Sequence, residues 1–186
     1  MHRRTILHTL AALPLAIFGA RVARAATAKP KSADIAALQG EWKTLLASNA
    51  DIARTTEPLK LADDEWKKRL SAPAYDVLRH EGTERPGSSA LNQEKRAGVF
   101  VCAGCSLPLF TSAMKFESGT GWPSFFTLIP GMLDTRTDFK MILPRTEYHC
   151  VRCGGHQGHV FDDGPAPTNQ RYCNNGVALR FIPKTA

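Results

Sequence analysis

The sequence predicts a mainly β domain whose N-terminal third is helical, built as one unit. Three observations carry that expectation. Apolar residues recur at helical spacing before residue 80, whereas after Gly98 they fall into short runs separated by Gly, Pro, Asp and Asn. Two Cys-x-x-Cys pairs lie within the second region and offer to clamp distant parts of it together. A chain of 186 residues suffices for one domain plus a short leader.

The elements follow in order. Residues 1–25 have a basic head (Arg3, Arg4), the apolar run ILHTLAALPLAIFGA, and a small-x-small ending at Ala23-Arg24-Ala25. That order is the pattern of a secretory signal peptide. The alternative is a retained anchor, but His8, Thr9 and Pro14 interrupt the run, which is shorter than the roughly 20 apolar residues of a spanning helix. The paired arginines, with Ile6 and Leu7 behind them, resemble a twin-arginine signal, a route that exports folded proteins. Residues 26–56 read as a linker and an N-terminal helix, with Ile35, Leu38, Trp42, Leu45 and Leu46 on one face of a helix over about 33–50. Residues 57–186 then form the main domain. Asp63, Asp64 and Glu65 favour a helix start through the helix dipole, giving a brief helix to about Leu70. Ser71 caps another, with Pro73 tolerated in its first turn. EGTERPGSSALNQEKR is a loop, and GVFVC, FKMIL, TEYHC, HVF, QRYC and VALRFI are the strand candidates.

Charge excludes one class of partner. The formal charge is +7, but the leader's four arginines supply over half of it, leaving about +3 scattered along the rest. No long basic run follows residue 25, so no nucleic-acid footprint is expected. Five cysteines are an odd number for an exported chain, and a leftover cysteine points to a reactive thiol.

Cys102-Ala-Gly-Cys105 and Cys150-Val-Arg-Cys153 are separated by 44 residues. Each pair presents two thiolates from one tight turn, with Gly104 and Gly154 relaxing the backbone, and two such turns complete the four-sulfur shell of a structural zinc ion. Two disulfides are the alternative in an oxidising compartment. A redox-active pair fits less well, since no thioredoxin-like βαβ pattern surrounds either motif.

The fifth cysteine, Cys173, lies in Arg171-Tyr172-Cys173-Asn174-Asn175. On a strand, Arg171, Cys173 and Asn175 share a face, and a guanidinium beside a thiol favours the nucleophilic thiolate. A lone strand cysteine is equally often plain packing. His156 and His159 follow the second cysteine pair and read either as an acid pair, as further metal ligands, or as ordinary loop histidines. Trp122, in GTGWPS, is either core or an apolar face and N–H donor for a small sulfur ligand.

Taken in order, CAGC, SGTGWPSF, CVRCGGHQGHVFDDGP, RYCNN and ALRF resemble the methionine-R-sulfoxide reductases, and EWKKRLSAPAYDVLRHEGTERPGS resembles their lead-in. The resemblance spans about residues 60–182. It implies two twisted antiparallel sheets, a β-tent, with one structural zinc on Cys102, Cys105, Cys150 and Cys153, remote from a catalytic Cys173. It further implies that Cys173 attacks the sulfoxide sulfur and is left as a sulfenic acid, a reversible rung of cysteine oxidation. His156 and His159 would orient substrate and protonate the departing oxygen, Arg171 and Asn175 would support the thiolate and the polar side of the pocket, and Trp122 would receive the substrate methyl group. Many such enzymes carry a resolving cysteine where this chain has Thr120. A one-cysteine enzyme is therefore expected, reduced by an external thiol, thioredoxin-like or small. The expected substrate is methionine-R-sulfoxide in oxidised proteins, repaired outside the cytoplasm, in the periplasm, by a monomer. The R preference follows from the resemblance alone. The rivals are a zinc-dependent binding module and a disulfide-stabilised exported domain, both of which leave GWPSF, HQGHVF and RYCNN without a purpose.

Overall fold

The computed structural model describes residues 32–139 and 143–185. The leader 1–25, the start of the linker that follows it, and the centre of the FKMIL segment lie outside the described residues.

Four short helices precede the strands among the described residues: α1 (Ser32–Gly40), α2 (Trp42–Leu45), α3 (Asp63–Arg69) and α4 (Ala72–His80). The single helix expected over 33–50 is divided. Its first part ends at Gly40, a weak helix former, and Leu46 turns to extended backbone after Leu45. In α3, three acids open the helix and Lys67, Lys68 and Arg69 close it, which opposes each end of the dipole with the favourable charge. Ser71 caps α4 as expected, its Oγ accepting from the Ala74 N–H at 3.4 Å. The helix stops where Glu81 adopts the left-handed conformation (φ 59°). Its apolar face buries Ala74, Tyr75, Val77 and Leu78.

Nine strands follow among the described residues: β1 (Gly98–Cys102), β2 (Pro108–Thr111), β3 (Lys115–Phe116), β4 (Ser124–Phe125), β5 (Leu133–Asp138), β6 (Arg145–Cys150), β7 (His156–Phe161), β8 (Arg171–Asn174) and β9 (Leu179–Pro183). They form two antiparallel sheets, a small one ordered β2-β1-β9 and a larger one ordered β3-β4-β8-β7-β6-β5. The core lies between them. Phe100 of the small sheet meets Phe125 of the large one edge-on at 5.0 Å, and Phe110 stacks on Phe125 at 4.0 Å. Of the FKMIL segment only Phe139 and Leu143 are described; both are exposed and lie outside the strands, since β5 ends at Asp138 and β6 begins at Arg145. Nothing in the sequence pattern announced β3 and β4, which are two residues each.

Candidate active site and metal centre

The two cysteine pairs come from different sheets. Cys102 closes β1 and Cys105 precedes β2, while Cys150 closes β6 and Cys153 precedes β7. All four are buried and free, and their sulfurs lie within 4.8 Å of one another. Cys102 Sγ is 3.6 Å from Cys153 Sγ, and Cys105 Sγ is 3.5 Å from Cys150 Sγ. A regular tetrahedron with Zn–S bonds of about 2.3 Å has sulfur–sulfur edges of about 3.8 Å, so the donor set fits zinc and its spacing is too wide for disulfides. Hydrogen bonding to Cys105 and its neighbours, with burial, holds the Cys102 thiol well above its usual range. The same crowding pulls Cys153 the other way. Four thiols packed this closely compete for protons, a conflict that a divalent cation removes.

Gly154 has a φ of +66°, as its place in the second turn requires. In the first turn the left-handed residue is Ser106 (φ 60°), not Gly104. A Cβ on Gly104 would meet Cys153 Sγ, Leu78 and Trp66 at an ordinary 3.6 Å, so the relaxing role expected of Gly104 is not what the turn uses. The Arg79 guanidinium, 4.9 Å from the Trp66 ring, also donates to the Cys153 carbonyl at 2.9 Å. The helices thus seat on the cysteine cluster.

A cleft of about 140 Å3 lies elsewhere on the large sheet, lined by Thr83, Trp122, Arg145, Gly158, His159, Phe161, Cys173 and Asn175. It is smaller than the roughly 300–1,000 Å3 of sites for drug-sized ligands and suits a single side chain. The register explains the convergence: Cys173 on β8 lies opposite Ser124 on β4 and His159 on β7. Burial pushes the Cys173 thiol above its ordinary value. Arg171, together with hydrogen bonds from Thr120 and Ser124, offsets this only in part. The guanidinium is visible in the sequence, but the desolvation that outweighs it is not. Nor is Asp163, whose carboxylate holds Arg171 in a fork at 2.8 and 2.9 Å, while the Phe161 ring lies 4.4 Å from the guanidinium.

His156 and His159, three residues apart, would face opposite sides of a regular strand. A register shift between Tyr148 and His149 leaves Gln157 as the extra residue of a bulge, and the two rings come within 5.4 Å of each other. His159 lines the cleft with Nε2 2.8 Å from Asp138, which also takes a bond from Arg145 at 2.7 Å. His156 is buried behind it, its Nδ1 2.6 Å from Glu147. Glu147 in turn accepts from Arg136 at 2.6 Å. Burial holds His156 below its ordinary pKa, with Glu147 opposing. His156 Nε2 and Arg145 Nε are buried without a hydrogen-bond partner among the described residues.

Trp122 spends its N–H on the Glu84 carbonyl, at 3.2 Å, leaving the ring face for a ligand. Asn175 is fixed twice, donating to the Gln157 carbonyl at 3.0 Å and accepting from the Glu84 N–H at 3.0 Å. Of the residues singled out in the sequence, the cleft is lined by Cys173, His159, Asn175 and Trp122. Arg171 and His156 stand behind that wall, and the four paired cysteines form the separate cluster. Arg145, Asp138, Glu147 and Asp163 were not foreseen. Alternation along TEYHC sets Glu147 on the face opposite the core residues Tyr148 and Cys150, and its burial on that face comes from its partners His156 and Arg136.

Residues 70–183 match the family model described as SelR domain. The chain is 51% identical over 121 residues to a Methanosarcina barkeri protein named peptide methionine sulfoxide reductase MsrB, an overlap of 64% of this chain and 85% of that one. A Leptospira interrogans protein of the same name is 46% identical over 121 residues, covering 64% of this chain and 92% of its own length. A third, from Bradyrhizobium diazoefficiens, is 44% identical over 137 residues, covering 73% and 99%.

Proposed function

Since the chain belongs to the SelR family of B-type methionine-R-sulfoxide reductases, we propose that Cys173 is the nucleophile of this enzyme and that it works without a resolving cysteine. The observation that carries the reading is the geometry of the cleft. Its one thiol faces an indole, a phenyl ring and a carboxylate-held imidazole. The other four cysteines are gathered in the buried cluster, where they hold one structural zinc ion that joins the two sheets.

A methionine sulfoxide side chain enters with its methyl group toward Trp122 and Phe161. The Cys173 thiolate attacks the sulfoxide sulfur, the oxygen passes to Cys173, and one proton is taken up as methionine leaves. His159, which lines the cleft, supplies that proton, and His156 stands behind it with the two rings 5.4 Å apart, each ring backed by a carboxylate. Arg171 supports charge on the sulfur and Asn175 fixes the polar wall. An external thiol, thioredoxin-like or small, then displaces water from the sulfenic acid to give a mixed disulfide, and a second thiol releases Cys173. A cleft of this size takes the side chain and leaves the backbone outside, which supports protein-bound substrate. The leader supports export to the periplasm, and with it repair of oxidised proteins there by a monomeric enzyme.

Mass spectrometry after one turnover without reductant tests the one-cysteine cycle. The expected product gains one oxygen at Cys173, trapped as its dimedone adduct. A disulfide joining Cys173 to any other cysteine of the chain would refute it.

A further inference from the structure

Three hydroxyl groups beside Cys173 have no part in the scheme above. Ser118 Oγ lies 2.8 Å from Thr120 Oγ1 and 2.8 Å from Ser124 Oγ. Ser124 Oγ is 3.1 Å from the Trp122 carbonyl oxygen. Ser124 is fully buried and paired in register with Cys173, and hydrogen bonding from Thr120 and Ser124 is among the influences that lower the Cys173 thiol against its burial.

Counting protons limits how these bonds run. Each hydroxyl has one proton to donate, and each 2.8 Å oxygen pair needs one proton between its members. When Cys173 is a thiolate, three protons fill three bonds along Ser124 to Ser118 to Thr120 to sulfur, or along Thr120 to Ser118 to Ser124 to sulfur; only the first reverses into a chain that ends on an acceptor, the Trp122 carbonyl. When Cys173 is a thiol, the reverse chain from S–H to Thr120 to Ser118 to Ser124, ending on the Trp122 carbonyl, uses four protons in four bonds. Both directions leave every proton placed, and both use the same oxygen positions.

We propose that Ser118, Thr120 and Ser124 form a reversible hydroxyl relay that follows the charge on Cys173, with Thr120 donating to the sulfur when it is ionised. Thr120 then serves the nucleophile as a hydrogen-bond donor, and Ser118 acts on it only through Thr120. Ser118 is a positioning residue. The proposal rests on Cys173 being the nucleophile, but the relay itself is read without substrate.

The test is iodoacetamide alkylation of Cys173 across pH in the full-length zinc-loaded protein, followed at the Cys173 peptide by mass spectrometry. Arg171, His159, Arg145 and Tyr148 are the titratable or charged groups around the sulfur, and they are common to every variant. Thr120→Val keeps the shape and removes the hydroxyl. It is expected to move the inflection upward and slow alkylation below it about tenfold, the size of one charge-assisted hydrogen bond. Thr120→Ser should restore the rate to within about twofold. Ser118→Ala, which leaves the Thr120 contact in place, should slow alkylation about threefold and covers the case of a poorly folding Thr120→Val. A Thr120→Val or Ser118→Ala profile matching the unaltered protein overturns the relay, as does a Thr120→Ser protein as slow as Thr120→Val. An intact relay signature in a protein that reduces no sulfoxide would refute the enzymatic reading and leave the relay standing.

Discussion

Gly158 sets how closely β7 can approach the strand that carries Cys173. A Cβ built on Gly158 would lie 1.9 Å from the Cys173 carbonyl oxygen and 3.0 Å from its carbonyl carbon. Carbon–oxygen packing contacts need well over 3 Å, so Gly158→Ala must part β7 and β8 by roughly 1.5 Å. The obstacle is backbone, and no rotamer change relieves it. Overpacking of this kind costs about 1–3 kcal/mol, or a melting temperature lower by roughly 4–10 °C for a domain of this size. The catalytic effect should exceed the stability effect, because a displacement of about 1 Å at reacting groups costs on the order of a hundredfold in rate. Thermal unfolding and single-turnover reduction of a methionine sulfoxide peptide, both on zinc-loaded protein, measure the two effects. A Gly158→Ala enzyme within about twofold of the unaltered rate would refute the assignment of this strand pair as the frame of the nucleophile.

Further outcomes follow from the same geometry. Chelation that removes one zinc per chain, read by elemental analysis, should abolish the cooperative unfolding transition, since structural zinc contributes on the order of 10 kcal/mol in small domains; an unchanged transition after complete removal would count against a structural role. Because burial raises the Cys173 thiol above its ordinary value, the thiol form dominates at neutral pH. Its alkylation should climb with pH past the ordinary thiol value of about 8.5. Arg171→Met should move the inflection higher still, and a faster-reacting variant would contradict the role given to Arg171. Glu147→Gln leaves the shape but removes the charge shared by His156 and Arg136. It should lower kcat at least about tenfold while KM changes little, by weakening proton delivery; an effect confined to KM would place Glu147 in substrate binding instead.

How much of this could be read in the chain depended on whether the signal was local. The cysteine pairs declare their chemistry by spacing, and α3, α4, β1, β6, β7 and β8 follow from local patterns of charge, capping and alternation. The single helix over 33–50 was misread because Gly40 interrupts a face that otherwise keeps its period. β5 (LDTRTD) exposes four of its residues, so no apolar alternation marks it, and β3 and β4 are too short to have a period. His156 and His159 share a face only through the bulge at Gln157, which the pairing with β6 fixes and β7 alone does not show. The direction of the Cys173 shift depended on desolvation by residues distant in sequence. The neighbouring Arg171 was visible, but Asp163 engages its guanidinium. The bulge also links the two centres: Gln157 Nε2 lies 3.4 Å from Cys102 Sγ, while its backbone carbonyl holds Asn175.

The most direct measurement is reduction of R- and S-methionine sulfoxide with excess dithiothreitol, comparing the unaltered protein with Cys173→Ser, both zinc-loaded and folded by circular dichroism. Turnover of the R isomer alone, lost in Cys173→Ser, is the predicted result. R turnover that survives in Cys173→Ser would contradict the assignment of Cys173 as the nucleophile.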